Sequence, residues 1–185
     1  MLSTKETTRM KKLLLGGVLL TAAVLVPVLP AAGQAGAPGL SVETCTLPGV
    51  EGPARCGTLQ VWENRAAKSG RRIPIRFVVV PGTGPGPARA ALTYLAGGPG
   101  DDATSASGWM PRVFGASREG RDILLVDQRG TGGSHPLHCD LYSRGDVTSY
   151  LGAFLPAAKV RACVPGLQTK ADLAHYTTDP VADDL

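Results

Sequence analysis

The first residues in this chain that could do chemistry are two adjacent glycines behind a short apolar run. Ala91 to Leu95 leads into Ala96-Gly97-Gly98-Pro99-Gly100. Paired glycines let backbone amides approach a ligand closely and converge on an anion. Such amides can form an oxyanion hole, which holds the negative oxygen of an acyl-transfer intermediate; a tight turn after a strand would use the same residues. A second glycine loop, Asp127-Gln128-Arg129-Gly130-Thr131-Gly132-Gly133-Ser134, follows Ile123 to Val126. A dinucleotide fingerprint would need glycine where His135 stands and a helix where Pro136 stands, and the chain has no Gly-Lys-Ser/Thr phosphate loop. Neither loop therefore reads as a nucleotide site.

No catalytic set assembles around these loops from the other residues. Ser134 and His135 are neighbours and cannot face each other as nucleophile and base. His138 and His175 lie in polar, loop-like surroundings suited to solvated imidazoles. Asp101 and Asp102 offer a carboxylate pair, although beside Gly100 they suit a loop or helix start better. His135, His138, Cys139 and Asp140 resemble metal ligands, but they lack the second Cys/His pair of a structural zinc site. Neither a metal nor a cofactor is implied.

Both loops need strands to carry them. Ala91 to Leu95 and Ile123 to Val126 are continuously apolar, which predicts strands buried on both faces. Loops at the C-terminal ends of such strands are the usual place for a site in an open α/β sheet. Upstream, Gly57 to Glu63 and Ile73 to Val80 predict an antiparallel hairpin around the polar stretch Asn64 to Arg72. Pro81 to Pro87 is a turn-rich connector, expected to be the least structured part. Ser105 to Phe114 predicts a helix between the loop-bearing strands, and residues 147 to 163 are helix-prone with an interruption at Pro156. A last helix starts at Asp179, with Pro180 at its first position and Asp183 and Asp184 in the turn where the dipole favours negative charge. One turn cannot hold itself together in water, so the chain reads as the N-terminal part of a longer polypeptide.

The N-terminus has the order of an export signal. Lys5, Arg9, Lys11 and Lys12 precede Leu13 to Leu29, which is apolar or small apart from Thr21, and Ala31-Ala32-Gly33-Gln34-Ala35 supplies small residues for cleavage after Ala35. Residues 1–35 then form the signal and residues 36–185 the mature domain, with Met10 an alternative start. The competing reading is an uncleaved membrane anchor. Export permits disulfides, and Cys45, Cys56, Cys139 and Cys163 allow three pairings. The sequence-local choice joins Cys45 to Cys56 and Cys139 to Cys163, each worth roughly 3 kcal/mol in the chain-entropy model.

Most of the net charge of +4 belongs to that leader; the remainder carries 15 basic and 14 acidic side chains. With aromatic residues at 5% and no basic stripe, a nucleic-acid surface is excluded as a reading. The 185 residues, 43% hydrophobic and 18% charged, suit one globular domain.

Together the motifs are more specific than either alone. Leu95-Ala96-Gly97-Gly98-Pro99-Gly100, about two dozen residues, and then Leu125-Val126-Asp127-Gln128-Arg129-Gly130-Thr131-Gly132-Gly133-Ser134 resemble the prolyl aminopeptidase and tripeptidyl aminopeptidase family of α/β-hydrolases, its secreted members above all. The resemblance runs from Cys56-Gly57-Thr58-Leu59 to Tyr176-Thr177-Thr178 and Asp183-Asp184-Leu185. It implies an α/β fold, the N-terminal portion of an α/β-hydrolase domain ending before the nucleophile elbow. It also implies that Gly98, with Gly97 as second choice, supplies an oxyanion amide. Pro99, Gly100, Asp127, Arg129 and Gly130 would complete the active-site loops, with Asp127 and Arg129 bracing their floor by hydrogen bonds. Members often carry His or Asn before the first loop, where this chain has Ala96. The Gly-x-Ser-x-Gly elbow is absent, and the family order puts it roughly 20 to 30 residues past Leu185, with the serine, acid and histidine all downstream.

The expected function is therefore that of the N-terminal part of a secreted serine hydrolase, an aminopeptidase acting on peptides, with no turnover by this chain alone. A secreted esterase of the same fold is the nearest alternative. A non-catalytic secreted binding module is another, and it would have to cover the unprotected edge expected at Ile123 to Val126. The partners implied are a peptide or small ester substrate in the complete protein and a membrane only during export.

Overall fold

The structure, a computed structural model, describes residues 39–98, 100–142 and 145–185. The predicted export segment with its expected cleavage point after Ala35, and Pro99 of the first glycine loop, lie outside the described residues.

Alternation builds the first strands. In Arg72–Val80 (β3), Ile73 and Ile75 turn to one face of the sheet while Val78 and Val80 turn to the other, and all four are buried. Its partner Ala54–Trp62 (β2) pairs antiparallel, with Leu59 opposite Ile75 and Val61 opposite Ile73. The predicted hairpin is present, and β2 begins three residues before Gly57. A strand that the sequence reading missed, Leu40–Cys45 (β1), pairs antiparallel along the outer side of β2. Cys45 and Cys56 join these two strands in a disulfide, and Cys139 and Cys163 form the second, both in the sequence-local pairing.

The loop-bearing strands are Ala90–Thr93 (β4) and Arg121–Val126 (β5), which run parallel. The mixed sheet has the order β1-β2-β3-β5-β4, with β5 antiparallel to β3. Ile123 and Leu125 pack with Val78 and Val80 under Ala103, Ala106 and Met110, and Val126 packs on the opposite face with Ile73 and Ile75. The expectation of burial on both faces holds for β5. It fails for β4, where Ala90, Ala91 and Thr93 are exposed and Leu92 is half-buried. Topology is the reason: β4 is the edge strand and β5 lies inside, so the edge placed by the sequence reading at Ile123 to Val126 belongs to Ala90–Thr93.

The helices are short. The segment expected as one helix over Ser105 to Phe114 divides into a 3₁₀ turn at Thr104–Gly108 and an α-helix at Met110–Phe114 (α1), because Gly108 and Pro111 interrupt regular winding. A 3₁₀ turn at Val147–Tyr150 precedes the helix Ala157–Gln168 (α2), which starts directly after Pro156 and carries Pro165 inside it. The last helix is Thr178–Asp184 (α3). Thr177, not Asp179, takes the extended capping position, and Pro180 stands third. The Pro81 to Pro87 connector is tied down more firmly than its composition suggests: Gly82 N–H donates to Asp122 Oδ1 (2.9 Å) and Thr83 N–H to the Arg118 carbonyl (3.1 Å).

No helix among the described residues is long and apolar enough to cross a membrane. The two disulfides fit an oxidising compartment.

Candidate functional site

Because β4 and β5 are parallel neighbours, their following loops emerge at the same end of the sheet. The Gln128 side chain joins them, its Nε2 donating to the Ala96 carbonyl at 3.3 Å. One residue on, the Gly97 carbonyl accepts from the Asp101 N–H at 3.1 Å. Gly98 adopts φ +117°, and a Cβ there would lie 3.0 Å from the Asp101 backbone nitrogen. Glycine is thus required by both its dihedral and its neighbours. Gly97 has open space around it, and Gly97, Gly98 and Gly100 are exposed.

The second loop is built on buried polar side chains. Asp127 is fully buried; its carboxylate accepts from the Thr104 N–H (2.8 Å), the Thr104 hydroxyl (3.1 Å) and the Gly133 N–H (2.9 Å). Ser134, also fully buried, donates to the Asp127 carbonyl (2.7 Å) and accepts from the Arg76 N–H (2.8 Å). Ser134 is therefore a brace, with both hydrogen-bonding roles used. Gly132, at φ +47°, lets the loop fold over Asp127, since a Cβ would fall 2.4 Å from Oδ2. Gly130 closes the turn through its N–H to the Ser134 carbonyl (2.7 Å).

Arg129 lies next to these groups, its side chain wholly enclosed. Nε donates to Asp184 Oδ2 (2.7 Å) and Nη2 to Oδ1 (2.9 Å), while Nη1 serves the carbonyls of Glu63 (2.9 Å) and His175 (2.8 Å). Asp184 also takes Arg65 Nε at 2.8 Å. The sequence reading put Asp184 in the first turn of the helix; it instead closes the far end of α3 and fastens it to both arginines. The helix dipole disfavours an acid there, and two guanidiniums outweigh it.

A buried carboxylate that the sequence reading overlooked completes the floor. Glu63 accepts from Arg71 Nη1 (3.2 Å), the Asp172 N–H (3.1 Å) and the Tyr176 hydroxyl (3.0 Å). Burial first, and then the hydrogen bond and charge of Glu63, push the Tyr176 hydroxyl well above the usual phenol range. The signal was present in the period-two pattern, which puts Glu63 on the same face as Val61.

The remaining candidates are dispersed. Asp102 accepts from the Ser105 N–H (3.2 Å) and opens the 3₁₀ turn. The His135 ring faces the Lys170 carbonyl (3.2 Å) and tilts against Tyr176. Cys139 is in a disulfide and supplies no thiolate to a metal with His138 and Asp140, which pair on the surface at 3.0 Å.

Between the loops and α3 lies an open cavity of about 430 Å³, lined among others by Leu95, Gln128, Tyr176, Thr178, Val181 and Leu185. Its walls mix apolar and polar groups: Arg129 is part of the lining, and Leu95 connects it along the chain to the glycine loop.

No protein-family profile matches the chain. A stretch of 53 residues is 47% identical to a proline iminopeptidase of Aeromonas sobria, covering 27% of this chain and 12% of that protein. The chain thus matches a small part of that relative's length. The similarity suggests a relation to the α/β-hydrolases.

Proposed function

We propose that this chain is the oxyanion-loop-bearing N-terminal portion of an exported serine peptidase of the α/β-hydrolase fold, one that releases residues from the N-termini of peptides. The carrying observation is the position of Gly97 and Gly98: in the loop that follows β4, joined through the Gln128 side chain to the loop that follows the parallel strand β5, and a short way along the chain from Leu95 in the cavity wall. The local similarity to a proline iminopeptidase supports peptides as the substrate class.

In this reading, chain beyond Leu185 contributes the serine, the acid and the histidine. The serine oxygen attacks the carbonyl carbon of the scissile amide while histidine takes its proton. The Gly98 N–H donates to the oxygen as it becomes negative, an interaction that strengthens in the transition state and so accelerates the step. Collapse expels the amine with the proton returned by histidine, and water repeats the sequence on the acyl-enzyme. Asp127, Arg129 and Gly130 hold the loop floor and stay out of bond breaking.

The test is the intact mass and activity of the product secreted by the source cells. The expected result is a mass well above that of residues 36–185, labelling by a fluorophosphonate probe, and release of 4-nitroaniline from an aminoacyl anilide. Gly98→Ala should lower kcat by about 10²- to 10³-fold. A mass matching residues 36–185 with two disulfides and no labelling would overturn the proposal. Turnover of esters alone would overturn its peptidase part.

A further inference from the structure

The geometry points to Gln128 as a positioning residue for the oxyanion loop, an inference that rests on the role just proposed for Gly97 and Gly98. A trans peptide is a rigid plane in which the N–H of one residue points opposite to the carbonyl of the residue before it. Whatever holds the Ala96 carbonyl therefore aims the Gly97 N–H, and whatever holds the Gly97 carbonyl aims the Gly98 N–H. The Asp101 N–H holds the second plane at 3.1 Å. The Gln128 side-chain amide holds the first at 3.3 Å. A carbonyl oxygen needs a donor, so Nε2 is the amide atom that faces Ala96.

Side-chain bulk at Gly97 does not fix this peptide. Gly97 has nothing within 4 Å of where a Cβ would stand, so no packing at that residue sets the direction of the Ala96–Gly97 peptide. Gln128, by contrast, is held on both sides. Its carbonyl accepts from the Thr131 N–H (3.0 Å) and hydroxyl (2.8 Å), and its neighbours Asp127 and Arg129 are buried and fully engaged. A donor carried on a firmly held stretch of main chain in one strand's loop thus sets the direction of an amide on the other's. Without that donor the peptide can turn over and present the Ala96 carbonyl where the Gly97 amide had pointed. An oxygen there would repel the charge that develops in the transition state, a penalty on kcat and not on substrate affinity.

Two substitutions test this. Gln128→Met keeps the length and removes the donor; Gln128→Glu puts an acceptor-only carboxylate against the carbonyl at neutral pH. The Gly97 amide signal is followed by ¹⁵N NMR on the full chain, together with the melting temperature, and kcat and KM are measured on the secreted enzyme. The expected result is a displaced or doubled Gly97 signal in both variants with the melting temperature retained. The kcat of Gln128→Met should fall about five- to tenfold with KM unchanged. The activity of Gln128→Glu relative to wild type should recover as pH falls toward the ordinary glutamate range and its carboxyl regains a proton to donate. An unmoved Gly97 signal in both variants, or a raised KM at constant kcat, would overturn the inference. If the wild-type protein hydrolyses no peptide, the functional reading falls, and the Gly97 signal still decides for or against Gln128.

Discussion

The two glycine loops leave the same end of the same sheet and are built in opposite ways. After β4 the chain offers exposed backbone with little side-chain bulk, aimed by two hydrogen bonds to consecutive carbonyls. After β5 it folds over Asp127, Ser134 and Arg129, whose side chains are buried and partnered throughout. The first loop presents and the second supports. A site that binds through N–H groups needs bare peptide at the point of contact, and bare peptide cannot rigidify itself, so the rigidity has to come from its neighbour.

The contrast can be broken most directly at its strongest lock. Asp184→Ala leaves the enclosed Arg129 guanidinium without its counter-ion, and urea denaturation should register a loss of about 3–5 kcal/mol. A loss under 1 kcal/mol would mean that the supporting loop does not depend on α3.

A smaller effect comes with alkali, through Tyr176. Its pKa is raised in the folded state, so the folded protein keeps a proton that the unfolded chain releases near pH 10. The associated stability is complete below that point and declines as pH rises through the folded value. Melting curves should fall more steeply above pH 10 for wild type than for Tyr176→Phe; parallel curves would dismiss the Glu63 contact as a determinant.

The smallest effect is expected in the presenting loop. Gly97→Ala meets open space and requires no positive φ, so thermal unfolding should change by less than about 0.5 kcal/mol. A larger loss would show that the loop is supported by contacts of its own.

What the sequence disclosed is what depends on near neighbours. The β-branched run Val78-Val79-Val80 announced β3, and the polar stretch before it announced the hairpin. Cysteine spacing favoured both disulfides among three pairings, and the glycine runs marked the loops after β4 and β5, although β4 ends at Thr93 and not at the expected Leu95. Relations across long stretches of chain were not legible. Arg65 and Asp184 are 119 residues apart, and no local pattern pairs them. Ala91 and Leu92 look as apolar as Ile123 and Leu124, yet one strand borders the sheet and the other lies within it. Strand order made that distinction, and composition could not. Glu63 was readable by alternation, but a charge at a strand end is ordinarily taken for a solvated one.

The Cys139–Cys163 bond spans a stretch that displays Tyr150, Leu151, Phe154 and Leu155 to solvent, side chains that digestive enzymes favour at their cutting points. Outside a cell such a stretch will meet proteases. A cut anywhere between the two cysteines severs the backbone without releasing a piece, because the ends stay tethered through sulfur. Nicked and intact molecules would migrate together on a gel until thiol is added, and only then separate into two bands. A cut within that stretch would therefore escape a gel run without a reductant, and only the water added at each cut would show it in the intact mass.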